Sequence, residues 1–232
     1  MTLKEIQQKL YENLKESGWG DKLKMFIMSQ QFYEILETLY NESQAGNKFT
    51  PVIKDLFKAF QECPYDQLKV VVIGQDPYPQ AGVADGISFS CSYTGKLQPS
   101  LRYIFKEIES TVYPEGYDGD VDLKRWSNQG VLMLNTALTC QIGKIGSHIE
   151  LWKPFIVYLM DVLAHNNSGI AYVFLGNKAK EWHTHIPNLN YKFFTTHPAS
   201  AAYKKDSRWD SGDLFNNINK VLVGSGNTEI KW

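Results

Sequence analysis

Cysteine is scarce. The chain has three in 232 residues, Cys63, Cys91 and Cys140. The odd number and wide spacing exclude a disulfide framework and a zinc-ligand pattern, and a reducing, cytoplasmic setting is expected. Excess positive charge is also missing: 24 basic against 25 acidic residues leave a net charge of -1. That excludes the broad basic field of a bulk nucleic-acid binder, so contact with DNA would need local donors. No apolar run approaches the roughly 18 residues that cross a bilayer, and no membrane association is expected. The opening MTLKEIQQKLYENLK is polar and helical in pattern, without the apolar segment of a secretory signal. Internal repeats, low-complexity tracts and Pro/Gly/Ser linkers are absent. Residues 1–232 are therefore expected to form one domain, with 1–18 as an N-terminal helical extension. The 43% hydrophobic content suffices for a sizeable core.

The first part of the chain reads as helices. Residues 3–17 fit one, GWGD at 18–21 breaks it, and 22–43 carry apolar residues at helical spacing. FTPVIKDLFKAFQ offers Thr50 as an N-cap and Pro51 at the first helical position. The pattern then changes. KVVVIG (69–74), VLMLN (131–135), AYVFLG (171–176) and YKFFTTH (191–197) are short apolar runs that suit strands buried on both faces. PSLRYIFKEIE, LWKPFIVYLMDVLAHN and NKAKEW lie between or around them as helices. The expected fold is α/β, a three-layer α/β/α sandwich around a four-stranded, mostly parallel sheet.

Each strand run ends on something polar or conformationally special: Gly74-Gln75-Asp76, Asn135, Gly176-Asn177 and His197-Pro198. Ligands of open α/β sheets bind at the carboxyl ends of the strands, so these residues are candidates for one cleft. Asp76 lies in a loop stiffened by Pro77 and Pro79. It is either a preorganised carboxylate or an Asx-turn aspartate. His197 is either a donor to a developing anion or a satisfied strand-end histidine. Asn135 either reads a base edge, with donors and an acceptor in one amide, or forms a turn. Phe89 is a stacking platform or core. Ser100, before a helix, reads as an N-cap at a natural phosphate site. AAYKKD (201–206) places an aromatic and two lysines after His197, as phosphate contacts or a solvated loop. His183 and His185 lack a partner cluster and suggest no metal. Together these residues describe an α/β enzyme whose cleft holds an acid, an imidazole, an amide and an aromatic ring. They do not name its substrate.

A resemblance does. GQDPY at 74–78 resembles the water-activating loop of family 1 uracil-DNA glycosylases. ADGISFS, QPSL, WSNQGVLMLNTALT, FLGNKAKEW and THP follow in that family's order, and the final GNTEIKW is similar to its C-terminal end. The likeness runs over about residues 19–232, and the pairing of GQDPY with LNTALT is specific. It implies an enzyme of base excision repair that flips deoxyuridine out of DNA and hydrolyses its N-glycosidic bond. Asp76 would position water and stabilise the cationic sugar. His197 would hydrogen-bond uracil O2 as the base leaves. Asn135 would pair with O4 and N3, Tyr78 would close off C5 against thymine, Phe89 would stack on the base, and Gln75 would line the pocket. Pro99, Ser100, Ser147, Gly176, Asn177, Ser200, Ala201 and Tyr203 would match DNA-contact regions. The implied partners are single- and double-stranded uracil-containing DNA, with a proteinaceous glycosylase inhibitor among those the resemblance allows. No metal or organic cofactor is implied, and a monomer is expected.

The chain departs from the family pattern at three points. Pro79 stands where most members have histidine. Asn177 replaces serine in the Gly-Ser loop. The Pro-Ser-Pro-Leu that usually follows the histidine, whose leucine fills the gap left by the flipped base, is here HPASAAYKK. Ala201 occupies the leucine position, and Tyr203 is the bulky side chain nearby. Weaker action on duplex than in typical members is expected, with single strands less affected. Two rivals stand beside this reading. One is a glycosylase fold kept for DNA binding or replication; Asp76, Tyr78, Asn135 and His197, all present, oppose it. The other is a related glycosylase with a different base preference, which Tyr78 and Asn135 oppose.

Overall fold

The computed structural model describes residues 1–165, 169–187, 190–204 and 208–232, without the side chains of 202–204. The four apolar runs form one sheet. Its strands are β2 (Val70–Gly74), β3 (Val131–Asn135), β5 (Ala171–Leu175) and β6 (Tyr191–Thr195), in the order β3-β2-β5-β6. Every pairing in it is parallel. A two-residue antiparallel pair, β1 (Phe49–Thr50) with β4 (Cys140–Gln141), lies apart from the sheet.

β-branched Val70, Val71, Val72 and Ile73 are buried throughout, as a central strand requires. β6 differs from expectation. It has a neighbour on one side only, its residues are exposed or half-buried, and Phe194 is 45% exposed. Lys192 within it is consistent with an edge strand.

The helices are α1 (Leu3–Glu12), α2 (Trp19–Ile27), α3 (Gln30–Gln44), α4 (Lys58–Glu62), α5 (Pro99–Thr111), α6 (Lys124–Ser127), α7 (Ile149–Ala164), α8 (Asn177–Lys180), α9 (Ala199–Lys204) and α10 (Leu214–Gly224). On one face, Val72, Met133, Val173 and Leu175 meet residues of α5, α10 and the C-terminal Trp232. On the other, Tyr172 donates to the Leu163 carbonyl of α7, and Phe57, Phe60 and Phe155 form a ring cluster. One core cluster runs from Leu10 to Trp232, so α1 is packed into it. The Gln7 amide ties α1 down by donating to the Ile27 and Ser29 carbonyls. The three free cysteines are buried. Burial pushes the Cys63 and Cys140 thiols up to about 12, which makes them inert.

Three local expectations are corrected. The helical stretch 22–43 is two helices, because the Ser29 hydroxyl accepts from Phe32 N–H and starts α3 afresh. Thr50 caps no helix. It pairs with Cys140 in the small ladder, and a 3₁₀ turn at Ile53–Asp55 precedes the short α4. Ser100 is not an N-cap either. Gln98 holds that place, Pro99 follows at the helix start, and Ser100 is buried in the first turn.

Candidate active site

The chain leaves β2 for β3 on one side and later returns to β5 on the other. The carboxyl end of β2 is thus a topological switch point, where open α/β sheets form their crevices. A cleft of about 440 Å³ opens there. It is lined by Gln75, Asp76, Tyr78, Phe89, Asn135 and His197, with Gln80, Ser88, Gln98, Pro99, Ser100, Ile145, Ala199 and Ser200 around them.

Asp76 is held from two sides. Gly146 N–H donates to its Oδ2 at 2.5 Å, and the Gln75 amide donates to Oδ1 at 3.3 Å. Burial raises its carboxyl above the ordinary carboxylate value, and these two donors pull it partly back. Its loop is fixed to β3 by Ala137 N–H and the Thr136 hydroxyl, both donating to the Gln75 carbonyl. Pro79, which has no N–H to give, uses its carbonyl to accept from Gly143 N–H at 2.9 Å.

His197 stands two residues beyond the end of β6. Ala199 N–H donates to its Nδ1 at 3.2 Å. A ring nitrogen that accepts carries no proton, so the proton of the neutral ring sits on Nε2. Burial lowers the imidazole below its ordinary value, which favours this neutral form. Gly176, at φ 86°, makes room: a Cβ there would stand 3.1 Å from the His197 Cβ.

Asn135 ends β3, and the Ser88 hydroxyl donates to its Oδ1 at 2.8 Å. With Oδ1 accepting from Ser88, the NH₂ and one oxygen lone pair are left to face a ligand. Gly74 is glycine for this reason, since a Cβ would lie 2.7 Å from the Asn135 Oδ1 and 2.9 Å from the Ser88 Oγ. Tyr78 donates its hydroxyl to the Phe89 carbonyl at 3.1 Å, and burial holds the phenol far above its ordinary value. Phe89 is both core and cleft wall. It is 8% exposed, and its ring centroid lies 5.6 Å from that of His197, tilted by 35°. Its φ of 65° is rare for a bulky residue and stores strain, of a kind that concentrates at functional sites.

Sequence reasoning missed the support. Asp85, fully buried, accepts from Ile87 N–H, Ser92 N–H and the Ser90 and Ser92 hydroxyls, and Lys58 lies 3.9 Å away. It knots the segment that carries Ser88 and Phe89. The available signal was ADGISFS itself, a lone acid before alternating serines.

The expected DNA-contact residues are not brought together equally. Pro99, Ser100 and Ser200 line the cleft. Ser147 does not; it is exposed, and its hydroxyl accepts from Gln141 N–H. Asn177 is exposed at the start of α8. Ala201 is 4% exposed, because α9 turns it into the protein, so it presents nothing to a duplex. The Tyr203 side chain lies outside the described residues. Among the described residues no helix is long and apolar enough to cross a membrane.

Residues 60–223 match the model of the uracil DNA glycosylase superfamily. The chain is 33% identical over 216 residues to uracil-DNA glycosylase 1 of Listeria monocytogenes, covering 92% of this chain and 96% of that protein. It is 35% identical over 225 residues to the uracil-DNA glycosylase of Dichelobacter nodosus, covering 95% and 96%. Among solved structures, mimivirus uracil-DNA glycosylase superposes with a TM-score of 0.84 at 22% identity, over 100% of this chain and 89% of that one. A mimivirus UNG variant in complex with UGI gives 0.83 at 24%, over 94% and 90%. These structural likenesses concern the fold.

Proposed function

The chain belongs to the uracil-DNA glycosylase superfamily, and from that premise we propose how its own residues do the work. It is a DNA glycosylase that hydrolyses the N-glycosyl bond of deoxyuridine and releases uracil, in DNA repair. Our finer reading is that it is of the family 1 type, that residues 1–232 act as one domain, and that it works as a cytoplasmic monomer without a cofactor.

Breaking the bond leaves positive charge on the sugar and negative charge on the base. In our reading Asp76 serves the first. A carboxylate lifted out of water, and held by Gly146 and Gln75, orients the attacking water and stabilises the oxocarbenium-like sugar without reorganising. His197 serves the second. With Nδ1 occupied by Ala199 N–H, its Nε2–H is the donor to uracil O2, and it acts as a neutral imidazole. Asn135, oriented by Ser88, gives its NH₂ to O4 and accepts from N3–H. Cytosine offers a donor and an acceptor reversed at those positions. Tyr78, tied to Phe89, stands beside C5, where a thymine methyl would clash. Phe89 stacks on the base, and Gln75 closes the pocket. The observation that carries this reading is the Ala199 bond to Nδ1, because it fixes the neutral tautomer that the leaving base needs.

Pro99, Ser100 and Ser200 at the cleft, and Ser147, Gly176 and Asn177 on neighbouring loops, are proposed to face the DNA backbone. Single- and double-stranded uracil-DNA are the proposed substrates. A proteinaceous inhibitor of the class seen with the mimivirus protein is a proposed partner.

The test is uracil release from matched single- and double-stranded oligonucleotides, wild type beside Asp76→Asn. We expect release from both substrates, slowed roughly 10²–10³-fold or more in the variant. Equal rates for the two proteins would remove Asp76 from the chemistry.

A further inference from the structure

One side chain in the cleft has no part in the chemistry above. Ile145 lines the cleft and is 65% exposed. A lone exposed isoleucine is ordinary on a protein surface; this one is held differently. Its loop is pinned at four points: Ile142 N–H to the Lys48 carbonyl and Gly143 N–H to the Pro79 carbonyl, both at 2.9 Å, Gln141 N–H to the Ser147 hydroxyl at 2.8 Å, and Gly146 N–H to Asp76. Gly143 and Gly146, at φ 80° and 77°, turn the chain on either side of it. A β-branched side chain has few rotamers. Ile145 is therefore presented stiffly at the lip, one residue from the donor that holds the carboxylate.

Flipping a nucleotide out of a duplex opens a gap in the base stack, and an apolar side chain entering that gap opposes its return. The same cleft is lined by Ala199 and Ser200, both too small to fill such a gap, and Ala201 is turned inward. We propose that Ile145 is the wedge: it enters the duplex beside the extruded deoxyuridine, from a loop other than the one that follows His197. This rests on the uracil-flipping reading above. Ile145 is a positioning residue and touches no reacting atom. A single strand has no stack to refill, so its cleavage does not need the wedge.

The experiment compares wild type, Ile145→Ala, Ile145→Leu and Asp76→Asn on single- and double-stranded oligonucleotides carrying one uracil. A 2-aminopurine next to the uracil reports unstacking in the Asp76→Asn and Asp76→Asn/Ile145→Ala backgrounds. Losing three carbons of apolar contact should lower duplex excision by up to about 50-fold. Single-strand excision should stay within about twofold, Ile145→Leu should restore the duplex rate, and the double variant should lose the fluorescence gain. The melting temperature should not move, because the side chain is exposed. Equal losses on both substrates, or no loss on duplex, overturn the wedge. Absence of uracil release by wild type, or undiminished release by Asp76→Asn, overturns the reading beneath it, and the two failures are thereby told apart.

Discussion

Replacing Gly74 by alanine tests the floor of the cleft. The new Cβ would sit 2.7 Å from the Asn135 Oδ1 and 2.9 Å from the Ser88 Oγ, closer than such atoms approach. To reach ordinary contact Asn135 must retreat by most of an ångström and give up the 2.8 Å bond from Ser88. The backbone itself accepts alanine, since Gly74 is not among the glycines at positive φ. The cost therefore falls on side-chain packing, and chiefly on the amide's position, rather than on the backbone conformation. A displacement near 1 Å in a positioning group costs about 10²-fold in rate, close to 2.7 kcal/mol in the barrier. The assay is kcat/KM for uracil release from a single-stranded oligonucleotide, beside thermal melting. Gly46→Ala is the control, at φ 87° with nothing within 4 Å; it should cost some stability and no activity. Gly74→Ala should lose rate by about 10²-fold, far more than its loss of stability, about 1–3 kcal/mol for an overpacked site, would account for. A Gly74→Ala enzyme within about threefold of wild type would refute the reasoning, because an amide that can move that far without effect is not the element that reads the base.

Other outcomes follow from the same geometry. Asp76 must be ionised and His197 neutral; the first is raised from 3.8 and the second lowered from 6.5. Excision should fall on acidification, as Asp76 takes up its proton at a pH above 3.8 and His197 ionises at a pH below 6.5, and a rate that rises in acid would contradict both roles. The stability signs are opposed. His197, depressed in the fold, stabilises above its unfolded value and loses this as pH falls, whereas Asp76, raised in the fold, loses stability as pH rises through its folded value. Asp76→Asn should therefore melt above wild type at neutral pH, with the gap closing in acid; a lower melting temperature at neutral pH would show that the carboxylate is not held against its own desolvation. Tyr78→Ala should let thymine be released, a discrimination worth about 10–200-fold per methyl, and complete rejection of thymine by that variant would remove Tyr78 as the sieve. Asp85→Ala strands buried donors and Lys58 and should cost about 3–5 kcal/mol in urea unfolding; a loss below about 1 kcal/mol would mean that the knot is replaceable.

The strands and their polar ends were legible because a run such as VVVIG admits few other folds, and because parallel sheets place function at one edge. The motif around Asp76 was legible for the same reason: two prolines and an acid at a strand exit serve no core. Ser88 was not, because its partner Asn135 is 47 residues away and a serine in an alternating run carries no sign of it. Asp85 was hidden likewise, its meaning lying in donors that gather only when the loop closes. Thr50 and Ser100 misled because a capping residue beside proline is a local signal, and tertiary pairing or a one-residue shift of the helix start overrode it. That Ala201 is buried could not be read either, because its place in the chain does not say which way α9 turns. Ile145 escaped notice because exposure cannot be read from a letter.

The sheet order has a consequence for how activity comes into being. Asp76 and Asn135 hang from neighbouring strands, whereas His197 follows β6, an edge strand and the last of the four in the chain, whose pairing in the sheet is with β5. β6 is exposed or half-buried along its length, so it adds little to the core, yet it carries the chain to the imidazole. The catalytic constellation is thus complete only while β6 is paired on β5: a copy with β6 detached keeps the carboxylate and the amide but loses the imidazole. Turnover, and not helix content, is the faithful gauge of whether this molecule has finished folding.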